Sequence, residues 1–198
     1  MQNCIWFAHS FLRPELVTPA RAKDLRRGRL TAKSQSQTRK IKKFVSSSSS
    51  PSFLLSSETF CYMRTDSEAS RIREFFEPYD VQIKTILVIR NDKDWRERWQ
   101  ANLKGESYFS QCEKVTNPLL RVDSDWYYDV ESIQNFWKGI GDLTVISYDH
   151  EMRDRGSIIP ACLSAMQIDE APDSDQFFVN TREAPKRKSE SSGSSSSE

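Results

Sequence analysis

The pattern of hydrophobic and polar positions predicts three strands along the chain. A short apolar run that ends at Glu58 predicts a buried strand over residues 53–56. The run VQIKTILVIR is rich in β-branched residues and predicts a strand that is covered on both faces and ends at Arg90. The run DLTVISYD predicts a further strand, with Asp149 and His150 at its end. A polar side chain therefore follows each predicted strand.

Apolar residues at helical spacing predict four helices between and after these strands. The predicted helices cover residues 67–77, 92–103, 129–141 and 157–168, and Ser67 is a candidate N-cap of the first. The elements follow one another as strand, helix, strand, helix, helix, strand and helix. This order predicts an α/β layered domain with a mainly parallel sheet.

The first part of the chain is basic, rich in serine and glutamine, and has no sustained apolar period. Residues 1–57 hold eleven Lys and Arg against two acidic residues, a local charge of +9, so the other 141 residues carry −8 of the total of +1. This composition predicts a disordered segment over 1–52, followed by a domain over 53–183 and a disordered, serine-rich tail over 184–198. The basic segment is compatible with four interpretations: an organelle transit peptide, a nucleic-acid-binding arm, the eroded or misassigned front of a longer protein, or a solvated arm without a dedicated partner.

The composition also bears on location and on metal binding. No stretch approaches the roughly 18 apolar residues that cross a bilayer, and the mean hydropathy is -0.67. We expect a soluble, cytoplasmic protein, with organelle targeting by the basic N-terminal segment left open. The cysteines are scattered without a CxxC motif, which argues against a zinc site and favours free thiols in a reducing compartment. They are Cys4, Cys61, Cys112 and Cys162.

Candidate chemistry lies at the ends of the predicted strands, because ligands bind beyond the carboxyl ends of parallel strands. Arg90, followed by a helix whose first turn offers N–H groups, is suited to hold a phosphate. Glu58 is a candidate general base for an acceptor hydroxyl, or else a carboxylate that caps a helix start. Asp149 and His150 are a candidate acid/base pair, although neighbours on a strand point to opposite faces.

Two groups of aromatic residues are candidates either for core packing or for ligand contact. Trp95 and Trp99 are four residues apart and share one face of the predicted helix, so we expect them to pack on the sheet rather than to stack on an adenine ring. Trp126, Tyr127 and Tyr128 lie in a more polar stretch. They either cover an acceptor site or close the edge of the core.

Several short motifs, taken in order, resemble the later part of bacterial sulfotransferase-like proteins of the P-loop fold. The motifs are LLSSE, RIREFFEPYDVQIKTILVIRNDKDWRERWQANLKG, FWKGIGDLTVISYDHE, SIIPACLSAMQI and FFVNTRE. The resemblance covers residues 53–183 and rests on their order and spacing. It implies sulfuryl transfer from 3'-phosphoadenosine 5'-phosphosulfate (PAPS) to a hydroxyl or amine of a carbohydrate-like or small-molecule acceptor.

The resemblance also implies roles for individual residues. In that family an arginine at the end of a core strand contacts the 3'-phosphate of the donor, and a serine eight residues later completes the contact. Arg90 takes the first role, and Arg98 stands in place of the serine. The five donors of Arg98 still suit a phosphate, although with a different geometry. Asn180 and Arg182 match a short family motif, and residues 186–188 correspond either to a basic phosphate-binding loop or to a charged tail.

One expected part of the family pattern is missing from the sequence. Sulfotransferases of this kind hold the 5'-phosphosulfate with a glycine-containing loop between their first strand and first helix. The stretch RRGRLTAKS around Gly28 has suitable residue types, but no strand precedes it and a second glycine is lacking. Losing even one such donor typically costs about 100- to 1,000-fold in rate. We therefore expect a truncated, sulfotransferase-like domain that is close to inactive.

The competing hypothesis is a non-catalytic binding protein. In that case the α/β part packs against a partner, and the basic N-terminal segment contacts an anionic surface such as nucleic acid.

Overall fold

The structure is a computed structural model that describes residues 4–25, 30–50 and 52–168. Its two strands are β1 (Lys84–Ile89) and β2 (Asp142–Ser147). The α-helices within the described ranges are α1 (Ile5–His9), α2 (Pro19–Leu25), α3 (Leu30–Ser47), α4 (Asp66–Phe76), α5 (Asp92–Asn102), α6 (Glu106–Cys112), α7 (Val130–Lys138), α8 (Tyr148–Arg155) and α9 (Ile159–Ala165). Short 3-10 turns lie at Glu58–Tyr62, Glu77–Tyr79, Pro118–Leu120 and Asp125–Tyr128. The predicted mixed α/β class is confirmed.

The two strands pair in parallel, with Lys84 opposite Asp142 and Ile89 opposite Ser147. Parallel strands need a long crossover connection, and here α5, α6 and α7 supply it. Alternate side chains of a strand point to opposite faces of the sheet. Leu87 faces the main hydrophobic core, whereas buried Ile146 lies on the opposite face, where α9 packs on β2. Helical segments therefore lie on both faces of this small sheet.

A glycine marks the point where the chain enters β2. The Cα of Gly141 approaches the backbone carbonyl of Ile83 so closely that a Cβ on residue 141 would overlap with it. Glycine has no Cβ and permits this approach. The next residue, Asp142, donates its N–H to the same carbonyl at 3.2 Å. The close contact thus positions the first hydrogen bond between the strands.

The helices α1, α2 and α3 contradict the predicted disorder of residues 1–52 for the described part of that segment, since residues 1–3, 26–29 and 51 lie outside the described ranges. Phe7, Phe11 and Leu16, in and after α1, are buried in the same core as Leu87. The ring of Phe7 also makes an edge-to-face contact with Phe75 of α4, with centroids 5.0 Å apart. This apolar face was not predicted from the composition, because the apolar stretch is short and basic residues follow it. Tertiary packing, not local composition, orders this part of the chain.

The residues between α3 and α4 also differ from the prediction. Residues 53–56 have no regular secondary structure and no ladder partner among the described residues, so the predicted strand is wrong. Leu54 is 64% exposed, and the ring of Phe53 stacks near that of Phe76 at 6.4 Å instead. Three apolar residues are too few for periodicity to separate a strand from a loop.

The predicted helices agree well with the structure. The helices α4, α5, α7 and α9 all fall within the predicted ranges, to within one residue. Thr65, rather than Ser67, caps α4, and it forms a capping box with Glu68. Helix α8 replaces the last residues of the predicted third strand because Ser147 ends β2 and accepts a hydrogen bond from the N–H of His150. No helix in the described parts of the chain has the length and apolarity needed to cross a membrane.

A buried carboxylate joins the N-terminal helices to the rest of the core. Glu68 is 0% exposed, and both of its oxygens lie 3.1 Å from Nη1 of Arg13. It also accepts the backbone N–H groups of Arg13, Arg64 and Thr65 at 2.9, 2.8 and 3.0 Å. A buried charge is tolerated only when it is paired and fully hydrogen-bonded, as it is here.

A second buried arginine holds the chain that follows α1. Arg21 is 7% exposed and donates to the backbone carbonyls of His9, Leu12, Arg13 and Leu16. Burial lowers the pKa of Arg21 to about 10, which still leaves the guanidinium protonated at neutral pH. The turn between α1 and α2 is therefore closed by a cation that satisfies its carbonyl groups.

We expect the substitution Glu68→Ala to lower the free energy of unfolding by about 3–5 kcal/mol, because the Arg13 guanidinium, whose side chain is only 11% exposed, loses its carboxylate partner. Chemical denaturation of the full chain measures this loss. Glu74→Ala is the matched control, since Glu74 is an exposed carboxylate on the same helix; its effect should stay within about 0.5 kcal/mol. Equal losses for the two variants would show that the buried pair has no special structural role.

Candidate functional site

The carboxyl ends of β1 and β2 meet at one edge of the sheet because the strands are parallel. Arg90 follows β1, and Tyr148 follows β2 as the first residue of α8. The guanidinium carbon of Arg90 lies 3.7 Å from the centroid of the Tyr148 ring. This cation–π contact holds the arginine at the strand-end edge.

The same edge carries the start of α5. Asn91 is its N-cap, and its side-chain oxygen accepts the N–H of Asp94 at 3.0 Å. The backbone N–H of Asn91 donates to Oδ2 of Asp149 in the first turn of α8 at 2.6 Å. The two helices that follow the strands are therefore tied together beside Arg90.

Several hydrogen-bond donors at this edge have no acceptor among the described residues. The guanidinium of Arg90 makes no hydrogen bond there, and neither do the backbone N–H groups of Asp92 and Lys93 in the first turn of α5. Free N–H groups at a helix start carry a partial positive charge. Arg90 adds a full charge and a planar fork of donors. This set, called the strand-end site below, is chemically suited to bind a phosphate.

Carboxylates near the strand-end site limit its positive charge. Asp92 pairs with Nε of Arg96 at 2.8 Å, and hydrogen bonds to Asp92 and Asp125 raise the pKa of Arg96. Asp94 and Asp149 accept hydrogen bonds from Asn91 and keep their negative charges close to the helix start. A bound anion would experience repulsion from these two carboxylates.

Arg98, which the resemblance pairs with Arg90, lies on α5 with an exposed side chain. It is four residues after Asp94 and therefore on the same face of the helix. Along the helix axis, Asp94 and Arg98 are about 6 Å apart. No contact among the described residues joins Arg98 to Arg90.

Glu58, the candidate base, is the first residue of the 3-10 turn Glu58–Tyr62 and is exposed. Ser57 caps this turn by accepting the N–H of Thr59 at 3.2 Å. No hydrogen bond or ion pair in the described ranges connects Glu58 to Arg90. The structure thus places Glu58 at a helix start without joining it to the strand-end site.

The candidate pair Asp149 and His150 lies in the first turn of α8 rather than on a strand. Nδ1 of His150 is 3.4 Å from Oδ2 of Asp154, one turn later on the exposed surface. Asp149 instead accepts the N–H of Asn91. The two residues therefore do not form an acid/base pair with each other.

The aromatic residues of α5 pack in a cluster with tyrosines from other parts of the chain. Trp95 and Trp99 share a helix face, and their rings lie 5.2 and 4.9 Å from that of Tyr127. Tyr62 and Tyr128 complete the cluster, and burial raises the pKa of Tyr127. The predicted packing role agrees with these contacts, but the partner is an aromatic cluster and not the sheet. Tyr127 and Tyr128 are buried and thus close the edge of the core.

An open cleft of about 620 Å³ lies at the opposite, amino-terminal ends of the strands. Its lining includes the carboxylates of Glu74, Glu77, Asp80 and Asp142, with Arg73 as the one cation of the lining. This charge disfavours a phosphate. The strand-end site, which carries Arg90 and unpaired helix-start N–H groups, is therefore the better anion site.

Some predicted residues fall outside the described ranges. These are Gly28 with its neighbours in residues 26–29, then Asn180, Arg182 and residues 186–188. In the described ranges, no glycine-containing loop links a strand to a helix, since Arg90 and Asn91 connect β1 to α5 and α8 follows β2 directly. No cluster of His, Cys, Asp and Glu suited to a metal occurs among those residues either, and no disulfide joins the four cysteines, all of which lie in the described ranges.

Two contributors to the site were not identified from the sequence. Asn91, between an apolar run and an acidic helix start, carries a recognisable N-cap signal. Tyr148 carries no such signal, because its contact with Arg90 depends on the register of two strands that are far apart in the chain.

Comparisons of this chain with protein-family models, with curated proteins and with solved structures found no match.

We expect Asn91→Ala to lower the free energy of unfolding by about 1 kcal/mol, because it removes the N-cap hydrogen bond of α5. Denaturant unfolding of the full chain measures this change. Asn135→Ala is the control, since Asn135 is exposed within α7 and its side chain has no described hydrogen bond; alanine should be neutral or slightly stabilising there. A neutral Asn91→Ala would contradict the assigned cap.

Proposed function

We propose that this protein is a sulfotransferase-like domain that binds PAPS, or its desulfated product, with Arg90 on the 3'-phosphate. The observation that carries the proposal is the guanidinium of Arg90, held against Tyr148 at the carboxyl edge of a parallel sheet with no described hydrogen bond. The neighbouring N–H groups of Asp92 and Lys93 supply two further donors of the right polarity.

The choice of a phosphate monoester follows from the charges at the strand-end site. A dianion gains about twice the Coulomb energy of a monoanion from the same guanidinium, and its oxygens match the planar fork. The Tyr148 ring limits the rotation of Arg90, so less conformational freedom is lost on binding. Asp149 works against the anion. We therefore expect measurable but modest affinity.

Nucleotide binding is assigned to the strand-end site, and sulfuryl transfer is not assigned to it. Transfer requires donors that stabilise the charge on the 5'-phosphosulfate as the bond breaks. No strand–glycine loop–helix unit in the described residues offers such donors. If the chain acts on a carbohydrate-like or small-molecule acceptor, Glu58 is the base implied by the sequence, and it would have to act from an exposed position outside the strand-end site.

Calorimetric titration of the full chain with 3'-phosphoadenosine 5'-phosphate tests this proposal. We expect Arg90→Ala to weaken binding by about tenfold or more, because a hydrogen-bonded ion contact is lost. Asp149→Asn should instead strengthen binding a few-fold, since it removes a negative charge and keeps an acceptor for the N–H of Asn91.

Arg153→Ala is the matched control, because Arg153 is an exposed arginine on α8; it should bind like the unsubstituted chain. Arg98→Ala should weaken binding if Arg98 takes over the role of the family serine. The absence of detectable binding at millimolar nucleotide would overturn the proposal, and so would equal binding by Arg90→Ala.

A second candidate function is binding of an anionic partner such as nucleic acid by α3. This helix has 18 residues, contains Lys and Arg at five positions and holds no acidic residue. Arg39, Lys40 and Lys43 are exposed, and Phe44 beside them is 49% exposed. Basic side chains interleaved with an exposed aromatic ring suit a phosphate backbone with accessible bases.

Fluorescence anisotropy with a short labelled duplex, measured over a range of salt concentrations, tests this second function. Replacing Arg39, Lys40 and Lys43 with alanine should reduce the slope of log K against log salt by up to about 2.7, because each phosphate contact contributes about 0.9. Point substitutions are preferable to removal of residues 1–50, because α1 and α3 contribute to the core.

The control for this experiment replaces three exposed lysines elsewhere, Lys104, Lys114 and Lys138. It makes the same change in net charge and should leave most of the slope intact. Equal slopes for the two triple variants would show that α3 is a solvated face without a specific role in binding.

A further inference from the structure

The sheet in this protein has only two strands among the described residues, and both of its edges are therefore open there. Asp142 donates its N–H to Ile83, so its backbone faces β1. Alternate residues of a strand direct their N–H and C=O groups to opposite sides. The backbone groups of Leu143, Val145 and Ser147 consequently face away from β1, and those of Lys84, Ile86 and Val88 face away from β2.

The open edge of β2 lacks the features by which edge strands avoid pairing. Proteins protect such edges with lysine, proline, bulges or inward-pointing charges. Between Leu143 and Ser147 the strand has no charged residue and no proline, and its register with β1 is continuous. Val145 is also 39% exposed, although it follows a buried-strand pattern in the sequence.

The charges of the two edges distinguish how each could pair with a copy of itself. The edge of β1 carries Lys84 among its outward-facing residues, and a lysine on an edge strand disfavours pairing. An antiparallel pairing of β2 with a second β2 has its two-fold axis at Val145 and places Leu143 opposite Ser147. No like charges meet in that arrangement.

We infer that the edge of β2 is a self-association surface, on which a second copy of this chain pairs antiparallel through residues 143–147. The pairing would satisfy the outward N–H and C=O groups of Leu143 and Val145 and the outward N–H group of Ser147 in both copies. The C=O of Ser147 already accepts an intrahelical bond, because Ser147 is the N-cap of α8. The pairing would also bury the two Val145 side chains against each other. It would produce a four-stranded sheet with the order β1, β2, β2, β1. A sheet of that size is more usual than an isolated parallel pair.

Sedimentation velocity of the full chain over micromolar concentrations tests the inference. We expect a monomer–dimer equilibrium, and we expect Val145→Lys to raise the dissociation constant by about tenfold or more, because two ammonium groups would meet at the two-fold axis. Met152→Lys is the matched control: Met152 is also 39% exposed, lies on α8, and receives the same charge.

Cross-linking provides a second readout that holds even if Val145→Lys unfolds. Antiparallel partners that exchange hydrogen bonds have Cα atoms about 5.5 Å apart, which lies within the range of disulfides. Val145→Cys should therefore give a disulfide-linked dimer on mild oxidation, above the level seen with the native cysteines, and Met152→Cys should not. A chain that stays monomeric at all concentrations, or equal effects of the substitutions at positions 145 and 152, would overturn the inference.

Discussion

The parallel pairing of β1 with β2 is the constraint on which the architecture of this protein depends. Parallel neighbours cannot be joined by a tight turn, so the chain from Ile89 to Asp142 must cross over the sheet, and it does so with helices and an aromatic cluster. The same pairing brings both carboxyl ends to one edge, where Arg90 meets Tyr148. It also leaves two backbone edges open within the described residues, of which that of β2 is neutral and exposed.

The buried pair of Arg13 and Glu68 adds a second constraint, because it makes the basic N-terminal helices part of the same core. The carboxylate receives the guanidinium of Arg13 and three backbone N–H groups from two distant parts of the chain. Among the described side chains of this region, Arg39, Lys40 and Lys43 are exposed on α3, whereas Arg13 and Arg21 bind carboxylate and carbonyl groups in the interior. Two potential anion sites result, one at the sheet edge and one on α3.

The elements that could be predicted from the sequence are those with local signals. The helical spacing of Ala69, Ile72 and Phe75 and the β-branched run before Arg90 led to α4 and β1. Residues 4–25 could not be predicted in this way, because their apolar face is short and basic residues surround it. The position of Arg90 at a strand end was predicted correctly from the local pattern. Its contact with Tyr148 depends on the register in which Lys84 pairs with Asp142. These two residues are 58 positions apart in the chain, so no local pattern encodes their pairing.

We propose, above all, that the strand-end site binds a phosphate through Arg90 and the first turn of α5. An amide correlation spectrum of the isotope-labelled full chain, titrated with 3'-phosphoadenosine 5'-phosphate, tests it most directly because it resolves the site by residue. We expect saturable shifts at the backbone N–H groups of Arg90, Asn91, Asp92 and Lys93, with little change at α3. Shifts confined to α3, or none at millimolar nucleotide, would contradict the claim.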